Sequence, residues 1–293
     1  MSQSPKTLST LVEDIYHLFD EDNDHEVSEE NLNAFAEATK ELLRQRLRAR
    51  SQSGGVLRFS NLGRPDRQIW YMANAKDERE KLAPKNAFKF LYGDLIEQVL
   101  LFLVKEAGHT VEREQEELEV DGVKGHIDAV IDGVTVDVKS ASPMSYAKFE
   151  KGTLFEQDPF GYIGQISSYA SIVTPDTGGA FLAFDKVHGD ICVLNVGASI
   201  TNKFGVSSRI SHLRDVITSD TAPARCYSDE PDGKSGNRKL GTQCSYCSFK
   251  QECWPGLRTF LYSGRPRFLT EVSRTPDVLE VTKDRISDAE ILD

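Results

Sequence analysis

Three features are missing from this chain of 293 residues: long apolar runs, a signal-type N-terminus and internal repeats. The longest apolar candidate, residues 99–104, is far shorter than the roughly 18–20 residues that a membrane-spanning helix needs. The N-terminal segment MSQSPKTLST has no basic start followed by an apolar stretch, so we predict no secretory signal peptide. These absences favour a cytoplasmic protein without a membrane partner.

Cysteine is also scarce, and five cysteines in a cytoplasmic chain do not indicate disulfides. Cys192 stands alone in an apolar strand pattern, where a small core residue is the favoured interpretation. The other four follow the spacing C-x17-C-x2-C-x5-C and are Cys226, Cys244, Cys247 and Cys253. One Cys-x-x-Cys pair with two further thiolates can complete a metal site, for which we predict a structural role.

The net charge of −11 is unevenly distributed along the chain. Residues 1–31 hold nine acidic residues against one basic residue, whereas residues 40–89 hold thirteen basic against five acidic. A second basic block, residues 223–267, holds eight basic against four acidic. Such blocks are candidate phosphate-contacting surfaces, although solvated helix faces are at least as common for any one block. The acidic total therefore does not exclude DNA as a partner.

The residue patterns predict interleaved helices and strands. Helices are predicted over residues 8–19, 31–50, 86–107 and 160–174, and strands over residues 125–131, 134–139, 180–186 and 190–196. Asp132-Gly133 joins the first two strands as a two-residue turn that favours a hairpin. The predicted fold class is α/β or α+β, with a mixed central sheet flanked by helices.

The length fits one large domain or two smaller ones. Composition and charge divide the chain into four predicted segments. These are a helical N-terminal region at 1–55, a core at 56–222, a four-cysteine segment at 223–269 and an acidic tail at 270–293.

The first hairpin carries the sharpest chemical signal. Asp137 and Lys139 are two apart on one strand and therefore point to the same face, and pairing within the hairpin can bring Asp128 of the other strand beside them. Two carboxylates and an ammonium on apolar strands are costly to bury without a partner, and a divalent metal such as Mg²⁺ is the obvious one. A metal-bound water is a nucleophile for phosphodiester attack, which Lys139 would assist. An exposed ion pair on a surface hairpin is the alternative.

Further polar residues extend this set in chain order. Glu97 lies in Gly-x-x-x-Glu on an apolar helix, and Gln165 and Tyr169 share one face of a later helix. The ordered set resembles the PD-(D/E)XK nuclease superfamily, specifically its RecB-type exonuclease branch, which includes phage-encoded and CRISPR-associated RecB-like nucleases. The resemblance covers about residues 57–260 and extends to residues 58–71, RFSNLGRPDRQIWY.

The resemblance implies a restriction-endonuclease-like core and a role for each site residue. Asp128, Asp137 and the Val138 carbonyl would bind Mg²⁺ or Mn²⁺, and Lys139 would be the catalytic lysine. Gln165 and Tyr169 would contact DNA near the scissile phosphate. Glu97 stands where many members carry a metal-binding histidine, and a carboxylate there can still bind magnesium.

The last three cysteines, followed by Trp254-Pro255, resemble the C-terminal motif of iron–sulfur RecB-like nucleases. In that family the fourth ligand usually precedes the core, near residues 67–71, where this chain has no cysteine. Cys226 would substitute for it. The resemblance implies a [4Fe-4S] cluster, and the changed spacing leaves Zn²⁺ as the alternative.

Residues 20–31 look like the start of an EF-hand calcium loop. His25 stands where the loop turn wants glycine, and Asn31 stands where it wants a bidentate glutamate. An acidic interhelical loop, with Ser28 capping the second helix, is the favoured interpretation.

The sequence thus predicts a metal-dependent DNA exonuclease, of the kind used in phage-type recombination, repair or degradation. Two alternatives stay open: a structure-specific endonuclease, and a non-catalytic DNA-binding module stabilised by a metal-thiolate site. A helicase or recombinase could feed DNA to such an enzyme.

Overall fold

The computed structural model describes residues 6–48, 56–75 and 84–281, apart from the side chains of residues 85 and 86. The predicted linker at 51–55 and the second half of the predicted acidic tail, residues 282–293, lie outside these residues. In the described part of the chain, no helix is long and apolar enough to cross a membrane.

Helices and strands alternate along the chain, which confirms the predicted mixed α/β class. The helices are α1 (Leu11–His17), α2 (Glu29–Arg48), α3 (Asp66–Asn74), α4 (Pro84–Glu106), α5 (Pro143–Glu150), α6 (Tyr162–Val173), α7 (Ala198–Thr201), α8 (Val206–Thr218), α9 (Thr242–Ser245) and α10 (Lys250–Cys253). The strands are β1 (Val111–Glu112), β2 (Glu117–Val120), β3 (Val123–His126), β4 (Ala129–Ile131), β5 (Val134–Ala141), β6 (Gly179–Asp185), β7 (Ile191–Val196), β8 (Glu230–Pro231), β9 (Arg238–Lys239), β10 (Arg258–Tyr262), β11 (Arg265–Glu271) and β12 (Glu280–Val281). Short 3₁₀ helices span Phe59–Asn61 and Thr153–Phe155.

The chain folds into two compact units, each made of two stretches of chain. Unit 1 comprises Met1–Gly63 and Pro84–Ser211, and unit 2 comprises Arg64–Ala83 and His212–Asp293. This division differs from the four predicted segments, because residues 64–83 are assigned with the C-terminal part of the chain. Composition could not show this grouping, since it depends on contacts between residues far apart in sequence.

Unit 1 is built around a five-stranded sheet with the order β1-β4-β5-β6-β7. Only β5 and β6 pair in parallel, so the sheet is mixed as predicted. Strand alternation separates the two faces: Val136 and Val138 of β5 join a core with α1 and α4, whereas Phe181 of β6 joins a second core with α5 and α6. A separate two-stranded sheet pairs β2 with β3.

The predicted hairpin turn at Asp132-Gly133 is confirmed. Both residues have positive φ, 48° and 76°, and they join β4 to β5 in antiparallel register. This backbone is the one that a two-residue primed turn requires, and Asp followed by Gly is the pair that tolerates it. The second predicted hairpin is also present, as β6 and β7.

Unit 2 contains an antiparallel sheet with the order β12-β10-β11-β9-β8. Its small core consists of Leu240, Phe268 and Val281, with Cys244 and Trp254 packed against it. Residues 270 and 271, which the sequence assigned to the tail, are the end of β11.

Two glycines, Gly63 and Gly164, let α6 approach the end of the first stretch of unit 1 closely. A Cβ added at Gly164 would lie 2.5 Å from Gly63 Cα, closer than real Cβ contacts allow. We expect Gly164→Ala to lower the free energy of unfolding by about 1–3 kcal/mol, because the backbones would have to separate. Urea unfolding of the full chain, followed by circular dichroism, measures this.

Gly197→Ala is the matched control for this substitution. A Cβ at Gly197 meets no atom within 4 Å, and its φ of −60° suits alanine. We expect a change within about 0.5 kcal/mol for the control. Equal losses in the two variants would contradict the packing argument.

Candidate functional site

Asp137 and Lys139 lie on the same face of β5, as predicted. Strand alternation places Val136 and Val138 in the core with α1 and α4, so the two charged side chains take the opposite face. Lys139 Nζ forms an ion pair with Asp137 Oδ2, and the two side chains are 19% and 5% exposed. The alternative of an exposed surface ion pair does not describe this pair.

Asp128 reaches the same place, but it is not in a strand. The prediction of one strand over residues 125–131 is wrong, because Ile127 and Asp128 are outside any strand and separate β3 from β4. The physical reason is that β3 pairs with β2 in a separate sheet, while β4 pairs with β5. The β4–β5 pairing ends at Ala129 and Val136, so the Asp128 carboxylate is free to accept the backbone N–H of Val138 at 2.7 Å.

Helix α6 supplies the third side of the site. Gln165 Nε2 donates to Asp137 Oδ1 at 2.8 Å. Tyr169 is buried and its ring stacks on Phe59, with ring centres 5.1 Å apart. Gly125 permits this arrangement, because a Cβ there would lie 2.7 Å from the Tyr169 hydroxyl. The predicted pair on one helix face is therefore brought to the carboxylates.

Sequence reasoning missed Tyr162, whose ring centre lies 4.9 Å from Lys139 Nζ. A lysine ammonium over a tyrosine ring is held by the negative face of the ring. Tyr162 precedes Gln165 by three residues and Tyr169 by seven, so all three occupy one stripe of α6. Extending the helix periodicity by one turn would have found it.

Helix α4 brings Glu97 and, unforeseen, Asp94. Glu97 Oε1 accepts a hydrogen bond from Gln115 Nε2 at 2.7 Å. Asp94 lies three residues earlier on α4 and pairs with Arg46 Nε at 2.5 Å. Gly93 lets the helix approach β5 closely, because a Cβ there would lie 3.2 Å from Ser140 Oγ.

The site concentrates negative charge in a place with little water. Burial, followed by the charges of Asp128 and Asp137, raises the pKa of Glu97 to about 9. Burial and the charge of Asp137 likewise raise the pKa of Asp128 to about 7. Burial and the same two carboxylates raise the pKa of the Tyr169 hydroxyl.

Lys139 responds to the carboxylates in the opposite sense. Burial lowers the pKa of the ammonium, but the charges of Asp137 and Asp128 outweigh burial and raise it above its ordinary value. The amine therefore stays protonated at neutral pH.

The donor set fits a hard divalent cation. Magnesium and manganese prefer carboxylate oxygens, and Asp128 and Asp137 offer them side by side. Asp137 Oδ2 is buried and accepts no hydrogen bond of ordinary geometry from the described residues, although Lys139 lies in ion-pair contact with it. Among the described residues, Glu97, Asp128 and Asp137 do not form a trio with oxygens all within 4.8 Å. The oxygens of these three carboxylates are therefore not yet close enough together to bind one ion at the same time.

Another acidic group does meet that distance criterion, but its contacts explain it. Asp185, His188 and Asp190 lie at the β6–β7 turn. Asp185 accepts the backbone N–H of Val187 at 2.9 Å and bonds His188 Nδ1 at 2.9 Å. These bonds organise the turn, so we assign no ligand to the group.

The four predicted cysteines come together in unit 2. Burial, followed by the charges of Cys247, Cys253 and Cys226, raises the pKa of Cys244 to about 11. Such mutual effects require sulfurs that are close to one another. Cys192 is elsewhere, on β7 against the second core of unit 1, as expected of a small packing residue.

Arg67 of α3 contacts this cysteine site, which sequence reasoning did not foresee. Its Nε donates to Cys253 Sγ at 3.1 Å, and another guanidinium nitrogen bonds the Pro223 carbonyl. The sequence indicated that residues 67–71 contain no cysteine ligand. The structure shows that the same stretch supplies a cation beside the thiols instead.

The spacing of the thiols bears on the choice of metal. Four thiolates on one zinc ion stand only about 3.8 Å apart, as Zn–S bonds of about 2.3 Å in a tetrahedron require. In the described ranges, no three thiols lie within 4.8 Å of one another. The described thiols are therefore not gathered as tightly as one bound zinc ion would hold them.

Comparison with known proteins adds little to this geometry. No protein-family model and no curated protein matches the sequence. The chain is similar to the crystal structure of SSO0001, with 16% sequence identity and a TM-score of 0.40. The similarity covers 75% of this chain and 96% of that one. Function has to be argued from the site itself.

The raised pKa values predict how stability depends on pH. Between about pH 4.5, the ordinary pKa of a glutamate, and about pH 9, the folded chain holds a proton on Glu97 that the unfolded chain has lost. The corresponding window for Asp128 runs from about pH 3.8 to about pH 7. The free energy of unfolding contributed by these groups must therefore fall as the pH rises through these windows. We expect Glu97→Gln to flatten the decline.

Urea unfolding in EDTA at a series of pH values measures this dependence. Glu150→Gln, at an exposed carboxylate of unit 1, is the control and should keep the slope of the original chain. A Glu97→Gln variant with an unchanged slope would show that Glu97 titrates normally in the folded protein.

Proposed function

We propose that the protein is a metal-dependent DNA exonuclease that hydrolyses phosphodiester bonds. One observation carries the proposal: Asp128 and Asp137 converge beside Lys139 at buried or half-buried positions, with Gln165 bound to Asp137. Buried carboxylates that repel each other are costly without a cation, and an ammonium two residues away on the strand cannot neutralise both. The ordered resemblance to RecB-type nucleases supports the same activity.

Asp128 and Asp137 would hold Mg²⁺ or Mn²⁺, with Glu97 and the Val138 carbonyl as further candidate ligands. When bound, the ion supplies a more acidic water and neutralises phosphate charge. The Val138 N–H orients Asp128, and the Gln165 amide orients Asp137. These two contacts keep one oxygen of each carboxylate occupied and so fix the direction of the other.

The protonation state of Lys139 decides its role. Because its pKa is raised, it is a hydrogen-bond donor and a positive charge at neutral pH, and is not a base. It would stabilise the charge that develops on the phosphate and orient the attacking water. The Tyr162 ring limits where the ammonium can move.

In unit 2 the four cysteines would hold a [4Fe-4S] cluster, with Zn²⁺ as the alternative. The resemblance of the last three cysteines to the motif of iron–sulfur RecB-like nucleases supports the cluster, and the Arg67 guanidinium would offset the charge of the thiolates. We assign the cluster a structural role, since it would join α3 to the Cys244–Cys253 region within the unit.

An exonuclease needs a free DNA end, and an endonuclease does not. Circular single-stranded DNA, incubated with the protein and Mg²⁺ beside the same DNA linearised, separates the two activities. Degradation of the linear form alone supports the proposal. Cutting of the circle would reassign the protein as an endonuclease.

We expect Asp137→Asn and Lys139→Met each to reduce Mg²⁺-dependent hydrolysis of end-labelled DNA by at least about 10³-fold, because each removes charge at the reacting centre. Asp190→Asn and Lys186→Met, at exposed residues of the β6–β7 turn, are matched controls and should retain full activity. Circular dichroism checks the fold. Full activity of either Asp137→Asn or Lys139→Met would contradict the proposed nuclease site.

We expect anaerobically purified protein to contain iron and sulfide in equal amounts and to absorb broadly in the visible range. Cys244→Ser should lose most of this metal, because a ligand is removed from the cluster. Cys192→Ser is the matched control and should keep it. Zinc in place of iron would select the alternative, and retention of full metal by Cys244→Ser would exclude this site.

A further inference from the structure

Unit 1 contains a cleft of about 1190 Å³ between α2 and α4. Residues along the whole of α2 line one side, from Asn31 to Arg48, and residues 94–105 of α4 line the other. Glu97 and Gln98 are part of this lining. The cleft is therefore continuous with the candidate metal centre.

Helix α2 is held over α4 mainly at its two ends. None of its residues is buried, although the helix has 20 residues. Near its N-terminus, Asn31 Nδ2 and the Ser28 N–H donate to the Glu106 carboxylate at 2.7 and 3.0 Å. Near its C-terminus, Arg46 pairs with Asp94 at 2.5 Å. Between these ties the helix presents side chains to the cleft.

The cations in the cleft fall into two classes. Lys105 pairs with Glu114 at 2.6 Å, and Arg44 lies 3.8 Å from Glu41. Arg48 and Arg58 also line the cleft and are exposed, and neither has an ion-pair partner among the described residues. Two unpaired guanidiniums beside a nuclease-type centre are suited to phosphate groups.

The cleft also contains aromatic rings. Phe35 of α2 and Phe102 of α4 face each other with ring centres 5.3 Å apart. Phe90 lies one turn before Asp94, outside the residues that line the cleft; it is 55% exposed and shares the α4 stripe of Asp94 and Glu97. Rings of this kind can stack on nucleic-acid bases. A duplex keeps its bases stacked inside and offers mainly phosphates to such a surface, whereas a single strand offers both.

We propose that this cleft binds a single strand of DNA, with phosphates at Arg48 and Arg58 and bases against Phe90 and the Phe35–Phe102 pair. The strand would then lead to Glu97. Binding of the strand does not require the proposed nuclease function; only hydrolysis of the strand near Glu97 rests on it.

Binding is measured by fluorescence anisotropy of fluorescein-labelled oligothymidylate (dT30) in EDTA, so that Mg²⁺-dependent hydrolysis does not interfere. We expect the double variant Arg48→Ala, Arg58→Ala to bind dT30 at least about tenfold more weakly. The slope of log affinity against log salt should fall by about 1.4, as the loss of two phosphate contacts to a single strand predicts. The double variant Lys186→Ala, Lys203→Ala removes two positive charges from exposed positions of unit 1 outside the cleft and should bind within about twofold.

A second matched pair tests the stacking. Phe90→Ala should weaken binding of dT30 severalfold, because Phe90 lies on the stripe of Glu97. Phe88→Ala should not, because Phe88 is 70% exposed but points to the opposite side of α4. As a measurement without variants, photocrosslinking of a bromodeoxyuridine-containing strand to the unaltered chain should label residue 35, 90 or 102.

Several outcomes would overturn the inference. The first is an equal loss of affinity for dT30 in the two double variants. The others are crosslinks at none of residues 35, 90 and 102, and binding of a 30-base-pair duplex as tight as that of dT30. The fate of the nuclease proposal is read separately from hydrolysis. If the unaltered chain cleaves DNA but the Arg48 and Arg58 substitutions do not weaken binding, the nuclease proposal stands and the cleft proposal fails. If the substitutions weaken binding but the unaltered chain does not cleave DNA, the cleft proposal stands and the nuclease proposal fails.

Discussion

The architecture of unit 1 depends on one electrostatic constraint, the closeness of two carboxylates to each other at the end of the β4–β5 hairpin. The charge of Asp137 makes the charge of Asp128 more costly, and three neighbouring groups reduce that cost. Lys139 supplies a positive charge, the Val138 N–H binds one carboxylate, and Gln165 binds the other. Helix α6 packs against β5, and its Gln165 side chain reaches Asp137 from there.

Much of this arrangement could be predicted from local patterns. The Asp132-Gly133 pair specifies the turn, and alternation along β5 specifies that Asp137 and Lys139 share a face. The break at Asp128 could not be predicted, because it depends on β3 pairing with β2 in a different sheet. The pattern of apolar residues is the same for one long strand and for two short ones, so only the partner strands decide.

Some features of the helices could likewise be predicted from neighbouring residues, whereas others depend on contacts with residues distant in sequence. The stripe that contains Tyr162, Gln165 and Tyr169 is periodic and was open to prediction, as was Asp94 one turn before Glu97. By contrast, the absence of buried residues from α2 depends on what lies near the helix in space, which the local sequence does not specify. The spacing of the four cysteines indicated a shared site, but the cation beside Cys253 comes from a distant part of the chain.

That distance has a consequence for how the protein is made. Arg67 and Cys253 are 186 residues apart, and both belong to unit 2. At a synthesis rate of about 5–20 residues per second, α3 leaves the ribosome roughly 10–40 s before its cysteine partners exist. Residues 84–211 of unit 1 are made within this interval and residues 1–63 are made before it, so unit 1 is complete and can fold before residue 253 is added. The order of synthesis thus separates assembly of the carboxylate centre from assembly of the thiol site, and a chain that stops before residue 253 would have the first without the second.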